Sequence, residues 1–167
     1  MGTKVKKSFL KIVCQYQAAI VLMHIRGNPR NMQKKIFYQN VLKEVTRELN
    51  ISLEKCLEAG IKKDRIIIDP GLGFAKTTEH NLEILSNLYQ FHALGYPVLI
   101  GPSRKFFIGQ VTGKEVGQRL MGTAAAVSLA AVMGANIVRA HDVAAMKDVL
   151  LMSDAVISAK GGSQLFS

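Results

Sequence analysis

The sequence predicts an α/β fold built on a parallel sheet, and three features support that fold class. Short apolar runs rich in β-branched residues alternate with longer amphipathic segments, which is the pattern of successive βα units. The run at 19–23, AIVLM, is continuously apolar, as is typical of a strand buried on both faces. Gly27, Gly60 and Gly95 stand where such segments end. We therefore expect four βα units preceded by one helix.

The predicted elements follow one another in a regular order. Strands are predicted over 19–23, 65–68, 97–100 and 136–138. Helices are predicted over 4–17, over 31–59 as one long helix or two joined ones, and over 79–94 and 116–133. Asp142 is placed to cap a last helix, and the tail from about residue 158 is expected to be frayed.

The number of units favours part of a (βα)8 barrel of the TIM-barrel type. A complete barrel needs about 250 residues, whereas this chain has 167. Four βα units are half of eight, so we expect a half barrel that forms one partial domain over 1–167. The alternative is a small doubly wound sheet of four or five strands, which would be complete at this length.

Composition and charge limit the class of protein. An apolar fraction of 49% and a charged fraction of 20% are those of a soluble globular protein. No apolar run reaches the ~20 residues that span a bilayer, so we expect no membrane segment. The two cysteines lack metal-ligand or CxxC spacing, which favours a reduced, cytoplasmic protein. The net charge of +10 comes from dispersed bases, so we expect an anionic small-molecule substrate and no nucleic acid.

Polar residues collect where the predicted strands end, which is where active sites of parallel α/β proteins lie. The four clusters are Met23-His24, DPGLGFAK at 69–76, GPSRK at 101–105 and RAHD at 139–142. Gly71 and Gly73 lack the third glycine of a dinucleotide fingerprint. No metal-ligand cluster, Ser-His-Asp arrangement or P-loop is present. The clusters combine one carboxylate, several cations and glycine-shaped turns, which suits a polar heterocycle that carries an oxyanion or a phosphate.

Individual residues in these clusters have competing interpretations. Asp69 follows three isoleucines, and an unpaired carboxylate at a buried strand end is costly, so we expect it to contact a ligand. Arg104 and Lys105 are expected in a first helical turn, where the dipole disfavours cations unless an anion offsets them. Arg139 and His141 are predicted to share one face and to grip a phosphate oxygen.

Two polar residues also have structural interpretations. Ser103 is read as a helix N-cap. His24, directly after a buried strand, is expected to be a hydrogen-bonded structural histidine.

These motifs, in this order and spacing, resemble the dihydropteroate synthases of folate biosynthesis. The similarity covers nearly the whole chain from about Phe9 and corresponds to the C-terminal part of that family. The matching stretches are LMHIRGNPRNMQ at 22–33, IIDPGLGFAKTTEHNLEIL at 67–85, GPSRKFFIG at 101–109, RLMGTAAAVSLAAVMGA at 119–135 and IVRAHDV at 137–143.

The resemblance implies a (βα)8 barrel and a transferase. Such an enzyme joins p-aminobenzoate to 6-hydroxymethyl-7,8-dihydropterin diphosphate and releases diphosphate with the help of Mg²⁺. The family's metal-binding asparagine lies in the half that has no counterpart here, so no residue of this chain is predicted to bind metal. A homodimer or a complementing chain is expected as the partner, because a half barrel leaves two open sheet edges.

The resemblance also implies roles for single residues. Asp69 would hydrogen-bond the amino-pyrimidine edge of the pterin, Lys105 would reach its polar edge, and Met23 would pack in the pterin pocket. Arg139 would stack on the ring and, with His141, hold the diphosphate. Lys105, Arg139 and His141 are thus the expected catalytic residues.

The aminobenzoate site would be bordered by Phe74 together with Arg104 or Lys105. Two positions depart from the family's pattern: Ala75 replaces a glycine, and Phe106 stands where some members have a serine. The alternatives are a non-catalytic half barrel that binds pterin or diphosphate or serves as a partner subunit, and a related pterin-binding methyltransferase. The SRK and RxHD motifs argue against the methyltransferase.

Overall fold

The computed structural model describes residues 6–27 and 36–159. Its parallel strands are β1 Ile20–Met23, β2 Ile66–Asp69, β3 Leu99–Ile100 and β4 Ile137–Val138. Its α-helices are α1 Lys7–Gln15, α2 Val41–Glu58, α3 Thr78–Ser86, α4 Phe106–Thr112, α5 Leu120–Val132 and α6 Val143–Ala159. Short 3₁₀ helices span Lys63–Arg65, Leu88–Leu94 and Val116–Gln118. Most of the tail predicted to be frayed, residues 160–167, lies outside the described residues.

The four strands stand side by side in chain order. β1 pairs with β2 in parallel, and β3 pairs with β4 in the same way. A parallel bridge between Ile68 and Val98 joins the two pairs, so β2 lies between β1 and β3. A doubly wound sheet would reverse its strand order at a switch point, whereas these strands follow the order of a barrel. The partial (βα)8 architecture is confirmed, and the doubly wound alternative is wrong.

The sheet has two different faces because side chains alternate along a strand. The helix-facing side chains are buried, and they join α2, α3 and the segment Leu88–Leu94 in one apolar core. We call the other side the inner face, which consists of Val21, Met23, Ile67, Asp69, Leu99 and Ile137. Val21 on this face is 45% exposed, since the described strands do not close into a barrel that would cover it.

Several helix boundaries differ from the predicted ones. The helix predicted over 31–59 begins at Val41, and residues 36–40 are not helical, while 31–35 lie outside the described residues. The Asn40 side chain accepts a hydrogen bond from the Lys43 amide at 2.9 Å and so caps α2. The helix predicted over 79–94 ends at Ser86, where the Asn87 side chain donates to the Glu83 carbonyl at 3.0 Å.

The alanine-rich helix α5 begins at Leu120 and not at Val116, because a separate 3₁₀ turn, Val116–Gln118, precedes it. In the described part of the chain, no helix has the length and apolar character needed to cross a membrane.

Candidate functional site

A cavity of about 290 Å³ opens beyond the carboxyl ends of the four strands. Each strand end contributes to it, because the register places Met23 opposite Asp69 and aligns the ends of β3 and β4. The lining consists of Met23, Asp69, Leu72, Phe74, Gly101, Ser103, Lys105, Arg139, Ala140 and His141. The structure therefore brings together every predicted site residue except Arg104.

Asp69 forms the acidic floor of this cavity and is 8% exposed. Its Oδ1 accepts a hydrogen bond from the Gly71 amide at 2.7 Å. Burial raises the pKa of the Asp69 carboxyl above its usual value, and the Gly71 amide and the Lys105 charge act in the opposite direction. The floor thus offers a carboxylate that retains acceptor capacity toward the cavity, since an ionised carboxylate has about four lone-pair sites.

Lys105 approaches Asp69 from the turn after β3. Its Nζ donates to the Leu72 carbonyl at 3.0 Å and lies 4.1 Å from the centroid of the Phe74 ring. Burial lowers the pKa of Lys105, and the Asp69 charge raises it. The turn at 71–74 and the turn at 103–105 are therefore joined through this lysine.

The predicted helical setting of the SRK turn is wrong. α4 begins at Phe106, so Arg104 and Lys105 precede the helix and are not first-turn cations. Arg104 has a left-handed backbone, with φ of +56°, which turns the chain before the helix starts. Neither cation therefore occupies the first turn of α4.

Ser103 and Arg104 connect this turn to the segment after β4. Ser103 is not an N-cap, because its Oγ accepts from the His141 amide at 3.2 Å and lies 2.9 Å from His141 Nδ1. Arg104 donates from Nε and Nη2 to the two Asp142 carboxylate oxygens at 3.1 and 2.6 Å. The Asp142 carboxylate is thus occupied by an ion pair, and the Arg104 guanidinium points to it and away from the cavity lining.

The mouth of the cavity carries two basic side chains. Arg139 and His141 are both exposed there, as expected of groups that meet an anion arriving from solvent. The Arg139 amide donates to the Ile100 carbonyl at 2.9 Å, which fixes the residue beside the end of β3. An acidic, buried floor and a basic, open rim therefore face each other across one cavity.

Behind the cavity lies a buried polar network that the sequence analysis did not predict beyond His24. His24 is fully buried, with Glu48 Oε2 3.0 Å from its Nε2 and Lys76 Nζ 3.0 Å from its Nδ1. Burial lowers the pKa of His24, which suits a neutral imidazole between a carboxylate and an ammonium. His24 is a hydrogen-bonded structural histidine, as its position after a buried strand predicted.

Glu48 could have been found in the sequence, because it lies on the apolar stripe of α2. Val41, Val45, Leu49 and Ser52 are its buried neighbours on that helix, with helical spacing. A carboxylate on such a stripe requires a partner. Glu48 has two, since Arg26 Nε also donates to its Oε1 at 3.0 Å.

A metal site does not emerge from this geometry. Across residues 6–27 and 36–159, no group of three or more His, Cys, Asp or Glu side chains is arranged to hold a metal ion. Lys105 and Arg139 place two positive charges at the cavity, and these charges repel a metal ion. The residues present thus do not fit a Mg²⁺ site of their own.

Comparison with known proteins agrees with this geometry. The sequence profile of the pterin-binding enzymes matches residues 2–141. The chain is 46% identical over 140 residues to the dihydropteroate synthase of Haemophilus influenzae, and the match covers 84% of this chain and 51% of that protein. The chain therefore spans about half the length of the curated relatives that it matches.

Solved structures show the same partial match. A Yersinia pestis dihydropteroate synthase in complex with a sulfonamide drug is 35% identical with a TM-score of 0.88, covering 90% of this chain and 55% of that one. A Xanthomonas albilineans dihydropteroate synthase with 4-aminobenzoic acid is 42% identical with a TM-score of 0.81, covering 88% of this chain and 52% of that one. From its profile, its fold and its relatives, the chain belongs to the family of pterin-binding enzymes.

Proposed function

We propose that the chain is the pterin- and diphosphate-binding half of a dihydropteroate synthase. The completed protein would join p-aminobenzoate to 6-hydroxymethyl-7,8-dihydropterin diphosphate and release diphosphate. One observation carries the proposal: the cavity combines the buried carboxylate of Asp69 with the exposed basic side chains of Arg139 and His141. A heterocycle with amino donors at one end and a diphosphate at the other is complementary to that distribution of charge.

The roles follow from the position of each side chain. We assign the amino-pyrimidine edge of the pterin to Asp69, whose two oxygens can accept paired N–H donors. Lys105 Nζ, already near Asp69, would meet the polar edge of the ring, and Met23 would pack against the ring. Arg139 would stack on the ring. With His141, it would bind the diphosphate.

The aminobenzoate is proposed to lie beside Phe74 and Lys105. Arg104 would act on this site through its ion pair with Asp142, which holds the turn at 103–105 against the segment after β4. The Xanthomonas albilineans relative was solved with 4-aminobenzoic acid, which supports a site for this substrate in the family.

The proposed chemistry depends on positioning and charge. If the diphosphate leaves before the arylamine attacks, negative charge develops at the mouth and positive charge develops on the pterin methylene. Arg139 and His141 would stabilise the former, and the Asp69 carboxylate would stabilise the latter. Magnesium would assist the departure of diphosphate, and its ligand is proposed to lie in the half of the family that this chain does not span.

Calorimetric titration with the dihydropterin diphosphate tests the binding site. Asp69→Asn should raise Kd about tenfold or more, because a hydrogen bond to a charged group contributes about 1.5–3 kcal/mol. Arg139→Gln should weaken binding of the diphosphate more than binding of 6-hydroxymethyl-7,8-dihydropterin, which lacks it. Asp64→Asn, at an exposed position near the opposite end of β2, is the control. A wild-type chain that does not bind, or an Asp69 variant with unchanged Kd, would refute the proposal.

A second candidate is a non-catalytic half barrel that binds pterin or serves as a partner subunit. The four strands that do not close favour it over independent catalysis. We expect the purified chain, given both substrates and Mg²⁺, to form no dihydropteroate until a chain with the other half of the family is added. Product from the isolated chain would exclude the non-catalytic alternative.

We further propose a cytoplasmic protein that associates with a second copy or with a complementing chain. Cys14 and Cys56 are free thiols in the structure, as is usual for a reducing compartment. The exposed inner face would be covered by the partner.

A further inference from the structure

Lys76 is a buried cation whose hydrogen-bonding capacity is fully used inside the protein. It is 4% exposed, and its Nζ donates to the carbonyls of Gly71 at 3.0 Å and Phe74 at 3.1 Å. Its third contact is His24 Nδ1 at 3.0 Å. An ammonium has three N–H donors, so each one has an acceptor.

The acceptors belong to two different parts of the site. Gly71 and Phe74 lie in the loop that connects β2 to α3, whereas His24 directly follows β1. Glu48 on α2 accepts from His24 Nε2, at 3.0 Å, so the neutral imidazole must present Nδ1 to the lysine as an acceptor. A continuous chain of hydrogen bonds thus links α2, the end of β1 and the loop.

The loop needs such support because its backbone is irregular. Gly71, Gly73 and Ala75 have φ values of +72°, +78° and +50°, and left-handed backbone at alternate positions excludes a regular hydrogen-bond ladder. The same loop directly follows Asp69 and contains Phe74, and both of these residues line the cavity. Displacement of the loop would therefore move the floor of the cavity.

We propose that Lys76 is a positioning residue for the ligand site. Its hydrogen bonds connect the carbonyls of Gly71 and Phe74 to His24, and this connection holds Asp69 and Phe74 in place. Lys76 lies outside the cavity lining, so it would act through these residues and not by direct contact with a ligand. The part of the inference that concerns ligand affinity rests on the proposed function. The part that concerns the order of the loop stands without it.

The charge of Lys76 makes its three hydrogen bonds sensitive to pH. Burial lowers the pKa of Lys76 to about 7; the charges of Asp69 and Glu48 raise it, and those of Arg26 and Lys105 lower it. Below that pH the ammonium supplies three donors, and above it the amine supplies two for the same three acceptors. The connection between the loop and His24 through Lys76 should therefore weaken as the pH rises through about 7.

Amide hydrogen exchange of residues 71–75 tests the order of the loop without any ligand. Lys76→Met should accelerate exchange of these amides about tenfold, corresponding to about 1.4 kcal/mol, whereas Lys55→Met, an exposed lysine on α2, should not. If Lys76→Met loses the helical circular dichroism signal, Lys76→Gln replaces it and should accelerate the same amides severalfold. Exchange at the wild-type rate in the folded variant overturns the proposal.

Calorimetry with 6-hydroxymethyl-7,8-dihydropterin tests the effect on the site. Lys76→Met should raise Kd about tenfold near pH 6. At about pH 8.5 the ratio of the variant Kd to the wild-type Kd should be smaller, because wild-type Lys76 is itself uncharged there. An unchanged Kd at pH 6 overturns the positioning role, and a ratio that does not vary with pH overturns its dependence on the charge of Lys76. A wild-type chain that binds no pterin would refute the proposed function, and the exchange experiment would then decide the role of Lys76 alone.

Discussion

Glu48 and Asp69 are two buried carboxylates whose pKa values move in opposite directions. Burial raises both, but hydrogen bonds from His24 and Arg26 lower the pKa of Glu48 to about 2. For Asp69 the effect of burial prevails over the single amide of Gly71 and the more distant cations. A carboxylate saturated by partners within the protein stabilises the fold, whereas one with unused acceptor capacity in a cavity is suited to a ligand.

The pKa of Glu48 leads to a prediction about stability. Because the pKa of Glu48 in the folded state lies below the ordinary glutamate value of 4.5, the stabilisation by Glu48 is present above that pH and is lost as the pH falls toward about 2. Glu48→Gln should lower the free energy of unfolding by about 2 kcal/mol near neutral pH, because its hydrogen bonds lose their charged acceptor; urea denaturation measures this change. The deficit should narrow as the pH falls below about 4.5.

The matched control for Glu48 is Glu58→Gln, an exposed position on the same helix. Its unfolding free energy should follow that of the wild type at every pH. A Glu48→Gln deficit that stays constant from neutral to acidic pH would contradict the assigned pKa.

At the scale of elements, the loop between β2 and α3 decides the geometry of the site. A Cβ added to Gly71 would lie 2.0 Å from the His24 carbonyl oxygen, and its φ is +72°. The loop backbone therefore packs directly against the end of β1, and only glycine permits this approach. Ala75 adopts φ of +50° with its side chain buried, so this left-handed position of the loop is occupied by a residue other than glycine.

Two glycine variants separate close approach from backbone conformation. Gly113 has a similar φ of +69°, but nothing lies within 4 Å of an added Cβ. Gly113→Ala should lower the free energy of unfolding by about 1 kcal/mol, which is the cost of left-handed backbone for a residue with a Cβ. Gly71→Ala should lower the free energy of unfolding by at least about 2 kcal/mol more, because the clash with the His24 backbone adds to the cost of the left-handed conformation. If urea denaturation shows equal losses of unfolding free energy for the two variants, the clash between the added Cβ and the His24 backbone is relieved by movement of the loop.

At the scale of the whole molecule, the uncovered inner face distinguishes this chain from a closed barrel. Val21 lies on this face in the edge strand β1 and is 45% exposed, and β1 and β4 each have one edge without a described neighbour. Such edges and exposed apolar surface favour association. We expect the sedimentation coefficient of the chain to rise with concentration.

Substitution of the inner face checks the origin of that association. Val21→Asp places a charge on the inner face and should suppress self-association. Val111→Asp, at a 61% exposed position on α4, should leave it unchanged. Equal behaviour of the two variants in sedimentation velocity would indicate that another surface carries the association.

The sequence by itself determined the alternation of four strands with helices and the clusters at the strand ends. Apolar runs, helical periodicity and glycine punctuation are local signals, so 19–23 and the core of α2 were predictable from neighbouring residues. The position of Asp69 after three isoleucines, and those of Lys105, Arg139 and His141, were predictable for the same reason: carboxyl ends of parallel strands meet at one edge.

Only the tertiary structure decided how the polar residues pair. Arg104 turns to Asp142, 38 positions away, and Lys76 meets His24 across 52 positions. Such partners are chosen by the packing of separate elements, which no local pattern encodes. Helix ends at Asn40 and Asn87 depended on side-chain hydrogen bonds that override apolar periodicity. Local chemistry thus selected the residues of the site, and long-range packing decided which of them face the cavity and which support it.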